Sequence, residues 1–174
     1  MKKTPLALVV LGLLAVGCGD RDPTGSTAGD ELVIPEFASS SVVHRVSVGS
    51  LDSDAFGRGV DANFSLVAIQ RADGSVTGQW SDQFGHGNGG VHVALDCLLV
   101  VGNQAWIGGV ATDKNFDGLR VITMVEDNGT SVHDPRDQIS FSWVDPASFG
   151  FSPNCLDAPD LPLVPITNGE VKVN

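Results

Sequence analysis

The chain has 174 residues, with 10 Lys and Arg against 21 Asp and Glu, a formal net charge of −11. Such a surface repels a phosphate backbone, so no nucleic acid is expected as a partner. Glycine is abundant at 21 residues and tyrosine is absent, and the length suits one folded domain.

The first element is a leader. Met1-Lys2-Lys3 is basic, and Leu6 to Val16 is an apolar run. That run is too short to span a bilayer as a helix. It leads into Leu14-Ala15-Val16-Gly17-Cys18. This pattern resembles the lipobox of bacterial lipoproteins, with Ala15 where the family most often has Leu. The resemblance covers the first 18 residues only. It implies a signal peptide over residues 1–17, cleavage before Cys18 and diacylation of the Cys18 thiol. Two or three acyl chains give stable anchoring, since each buried methylene contributes about 0.8 kcal/mol. The membrane is therefore an expected partner through Cys18, at the outer membrane or the outer face of the cytoplasmic membrane. Gly19 stands where an Asp would resemble an inner-membrane retention signal. Loss of Lys2 and Lys3 with the leader leaves 8 basic and 21 acidic residues, 8 − 21 = −13.

Residues 18–38 read as a flexible tether rich in Gly, Asp, Ser, Thr and Pro, and residues 39–174 as a single β-domain. Glu31 to Pro35 is a candidate edge strand, limited by Pro35. Ser41 to Val48 alternates as a first strand, and a glycine-punctuated link runs from Gly49 to Gly59. Asn63 to Phe84 reads as a hairpin turning at Asp73-Gly74, a type I′ pair. A two-residue loop there sets Val67 opposite Trp80 and Ile69 opposite Gly78. Val67, Ile69, Val76, Trp80 and Phe84 then share the core face.

Gly85 to Gly90 matches a phosphate loop in composition alone, without the closing Lys-Ser/Thr. Two apolar runs joined by Gly102-Asn103 form a second hairpin. Its register puts Val101 opposite Gln104, Leu99 opposite Trp106 and Cys97 opposite Gly108. Val91, Val93, Leu95, Cys97, Leu99, Val101, Trp106 and Val110 would share one core face. Gly108 and Gly109, opposite Cys97 and Asp96, mark a bend, a bulge or a close backbone approach. Leu119 to Val125 is a strand ending at Asp127-Asn128-Gly129, and Ile139, Phe141 and Trp143 alternate with Ser140 and Ser142 in another. Phe149 to Pro165 is loop-like, and Val171 to Val173 is placed to close the sheet. About eight short strands joined by hairpins predict an all-β fold, an antiparallel barrel or sandwich, with the barrel favoured.

With Cys18 used by lipid, Cys97 and Cys155 remain as an even pair in an oxidising compartment, and they are expected to form a disulfide. Asp113, Asn115, Asp117 and Gly118 match the first half of an EF-hand calcium loop. Position twelve is Met124 and no helix flanks the loop, so calcium competes with an ordinary turn. The hairpin register sets His92 against Asp113, with Asp96 on the same face. Those three groups suit a metal or a general base, or else the solvated end of a sheet. No Gly-x-Ser-x-Gly elbow is present. Trp80, Trp106 and Trp143 suit core packing better than a ligand wall. The expected protein is a lipid-anchored extracytoplasmic β-domain, a structural or binding module without catalysis, its partner a protein or a small molecule. The alternatives are a barrel holding a small apolar or carbohydrate ligand, and an isomerase or hydrolase working from its polar end.

Overall fold

The computed structural model describes residues 41–49, 63–83, 89–131 and 133–174. The leader, Cys18, the tether, the Glu31 to Pro35 segment, most of the Gly49 to Gly59 link, Phe84 and residues 85–88 lie outside them. The strands are β1 Val42–Val48, β2 Asn63–Arg71, β3 Val76–Gln83, β4 Gly90–Val101, β5 Gln104–Ala111 and β6 Arg120–Glu126. They continue as β7 Gln138–Ser140, β8 Trp143–Val144, β9 Leu163–Pro165 and β10 Val171–Val173. All pairings are antiparallel, in the order β10-β1-β2-β3-β4-β5-β6-β7-β9, with β8 also on β6. The sheet curls into a half-barrel. Among the described residues no helix is long and apolar enough to cross a membrane.

The turns set the registers. Gly102 takes a positive φ of 62° and opens a two-residue loop, so Val101 faces Gln104 and Leu99 faces Trp106 as the sequence predicts. The Asp73-Gly74 turn differs. The Gly74 N–H donates to Arg71 O and the Arg71 N–H to Ser75 O, with Gly74 at φ 83°. The loop is therefore three residues, Ala72-Asp73-Gly74, with glycine in the left-handed position. One extra loop residue slips the register by one and exchanges the faces of β2. Leu66, not Val67, lies opposite Trp80, and Val67 is exposed. Phe64, Leu66 and Ala68 hold the core positions expected of Val67 and Ile69.

The expected single apolar face of β4 is also corrected. A bulge at Asp96 separates the pair Leu95–Gly109 from the pair Cys97–Gly108. An extra residue reverses the alternation beyond it. Val91, Val93, Leu95 and Leu98 face the inner core, whereas Cys97, Leu99 and Trp106 belong to a second cluster on the outer side. That cluster includes Ile122, Met124, Leu161 and Cys155, and the Cys97–Cys155 disulfide closes it with Cα atoms 6.1 Å apart. The Trp106 indole N–H donates to Pro159 O at 2.9 Å. The proline-rich segment is thus a lid over the outer face of β4–β6.

The strand expected over Ile139 to Trp143 is interrupted. β7 pairs with β6 at Val125 and Glu126, and β8 at Val121 and Ile122, a register one residue apart. Phe141 and Ser142 together span the gap. The Ser140 hydroxyl accepts from the Met124 N–H at 2.9 Å and so holds the break. Ile139 joins the inner core and Trp143 the outer cluster. At the far end, β10 pairs with β1. Its free edge is met by carboxylates: the Val171 N–H donates to Asp137 at 2.7 Å and the Val173 N–H to Asp127 at 3.0 Å.

Candidate functional site

Adjacent strands build one polar row across the outer face. Ser65 on β2 lies opposite Ser81 on β3, and Ser81 lies opposite His92 on β4. Paired residues share a face, so all three side chains point outward, with their inward neighbours Leu66, Trp80 and Val93 in the core. On the other side of His92 the Thr112 N–H donates to His92 O at 2.8 Å, which brings Asp113 alongside. One Asp113 oxygen accepts from the His92 backbone N–H, and the other lies 2.8 Å from His92 Nδ1. The backbone N–H of His92, more than its ring, holds the Asp113 carboxyl below the usual carboxylate range. An ionised carboxylate only accepts, so the Nδ1 that faces it carries a proton, and in the neutral ring Nε2 is then the acceptor. The His92 side chain is 66% exposed. Ser65, Gln79, Ser81, His92 and Thr112 line one shallow groove.

Asp96 does not join this row. It is the bulged residue, and both its oxygens are held by the Arg120 guanidinium at 2.6 and 2.8 Å. Both Asp113 oxygens are taken by His92, while Asn115 and Asp117 stand in the turn that leads to β6. Among the described residues no group of three or more His, Cys, Asp or Glu is placed to hold a metal ion.

A second surface lies beside the β7–β8 break. Phe116, Leu119, Phe141, Trp143, Asp145 and Phe149 line an apolar shelf. Phe141 is 43% exposed and Phe149 60%. Both stand edge-on to the half-buried Trp143 ring, at centroid distances of 5.9 and 5.3 Å. Phe151 backs the same ring at 4.7 Å. Asp145 supplies the shelf's carboxylate from a left-handed backbone, φ 51°. Trp80 and Trp106 are buried, in the inner core and the outer cluster, as their apolar surroundings predict.

Behind the shelf, Ser142 turns inward and donates from its hydroxyl to Asp82 on β3. Asp82 is 7% exposed, and desolvation pushes its carboxyl up to about 6, with the Ser142 bond opposing. Sequence reasoning missed Ser81, Asp82 and the shelf. Ser81 pairs with His92 across a loop that fixes no register, and the other two depend on breaks in alternation. Comparison with protein-family models, with curated proteins and with solved structures finds no match to this chain.

Proposed function

We propose that the chain is a lipid-anchored, extracytoplasmic β-domain that works as a binding module for a small apolar ligand. The observation that carries this reading is the aromatic shelf. Large apolar side chains left contiguous on an acidic surface mark a contact site. Ring carbon dominates the lining. The Ser142 hydroxyl is turned away to Asp82, and the Asp145 carboxylate, which accepts from the Ser148 hydroxyl, is the shelf's polar anchor. A carbohydrate needs several donors and acceptors around its hydroxyls, and this lining favours an apolar ring or acyl chain instead. The lipobox-like Leu14 to Cys18 segment supports the anchor.

The shelf is tested by titrating the full chain, carrying Cys18→Ser to remove the acylated thiol, with N-phenyl-1-naphthylamine. Saturable binding is expected. Each of Phe141→Ser and Phe149→Ser should weaken it about tenfold, as expected for losing one buried ring contact of about 1.4 kcal/mol. Equal binding by both variants would remove the shelf from the account.

A further inference from the structure

We propose that Ser81, His92 and Asp113 form a nucleophile, base and orienting acid for acyl transfer from small, uncharged esters. The site shares no residue with the aromatic shelf, so it stands or falls apart from that reading.

The three residues come from three separate strands or their ends, and the sheet puts them in line. Directly opposed residues on one face have Cβ atoms about 4.5–5.5 Å apart, which brings a serine hydroxyl within reach of a histidine ring. Asp113 grips His92 twice, at the backbone N–H and at Nδ1, and so fixes both the strand end and the ring tautomer. His92 and Ser81 line the same groove, and in the neutral ring Nε2 is the nitrogen that can take the serine proton. This is the arrangement of roles that activates a serine on unrelated folds. Gln79 lies two residues before Ser81 on the same face and lines the same groove. Its amide supplies a side-chain donor for a developing oxyanion. The net charge of −11 disfavours anionic esters.

Each step balances. Ser81 Oγ adds to the ester carbonyl carbon while its proton passes to His92 Nε2. The carbon–oxygen bond to the leaving alkoxide then breaks, and that alkoxide takes the proton from Nε2 and departs as an alcohol. Water adds to the acyl-serine, giving a proton to Nε2. Collapse releases the carboxylic acid, and Ser81 Oγ recovers the proton.

The test treats the full chain, in detergent, with a fluorophosphonate probe and with p-nitrophenyl butyrate. The expected result is a single adduct, mapped to Ser81 by peptide mass spectrometry, and hydrolysis above buffer. Ser81→Ala and His92→Ala should abolish both, and Asp113→Asn should slow hydrolysis at least about 100-fold. Ser81→Cys tests the site without removing the nucleophile. Its thiol should alkylate with iodoacetamide more slowly once His92→Ala is added. No adduct, an adduct on another serine such as Ser65, hydrolysis that survives Ser81→Ala, or thiol reactivity indifferent to His92 would each overturn the proposal.

Discussion

Asp82 shows how one buried group sets a pH dependence. Its carboxyl stands at about 6 in the folded chain against the ordinary 3.8. The folded state therefore binds the proton more tightly than the unfolded state. The stability this contributes is fully present below the unfolded value and is lost as pH rises through about 6. Asp82→Asn keeps a hydrogen-bonding partner for Ser142 and removes the ionisation. The variant should exceed the parent by up to about 3 kcal/mol near neutral pH, and the two should converge near about pH 4. Urea unfolding at both pH values measures this, and a constant difference would show that Asp82 is not desolvated. Asp113, whose carboxyl is lowered, works in the opposite sense, so only the parent–variant difference isolates Asp82. At this scale the sequence was partly legible. His92 and Asp113 are joined by one hairpin and could be paired from its turn. The bulge shifts that pairing, so His92 meets Thr112 in the ladder and the Asp113 side chain reaches back.

At the level of elements, turns carried the legible information and bulges hid the rest. Gly102-Asn103 is a two-residue loop, and its register near the turn could be read directly. Asp73-Gly74 also reads as a two-residue loop, yet Ala72 joins it, because a type I turn followed by a left-handed glycine closes equally well. Gly108 and Gly109 did mark the bulge at Asp96, though not the exchange of faces that follows. The disulfide links that bulged strand to the proline-rich lid. Replacing both cysteines, Cys97→Ser with Cys155→Ser, should cost on the order of 4 kcal/mol in the chain-entropy account. Urea unfolding of the full chain reads the loss, and an unchanged midpoint would show that the lid holds without the cross-link. β10 is held at its free edge by side chains in place of a strand ladder. Asp137 accepts from Asn128 N–H at 2.8 Å and from Val171 N–H at 2.7 Å. Asp137→Ala leaves both donors without that carboxylate and should cost about 3 kcal/mol, by the same measurement. A loss under about 0.5 kcal/mol would mean the edge finds other partners.

At the scale of the molecule, the described residues form a curled antiparallel sheet with two surfaces for which roles are proposed. One is the aromatic shelf left by the β7–β8 break, and the other is the Ser81–His92–Asp113 row on the outer face of β3–β5. The all-β class was readable because alternation and turn residues agree along the chain. The shelf was not, because it depends on where alternation fails. Native mass spectrometry of the full chain extracted from membranes reads the acylated anchor and the apolar-ligand module together. The expected result is a chain beginning at an acylated Cys18, with a non-covalent apolar mass that is lost in the Phe141→Ser, Phe149→Ser double variant. A chain without acyl groups at Cys18, or a bound mass unaffected by the double variant, would contradict it.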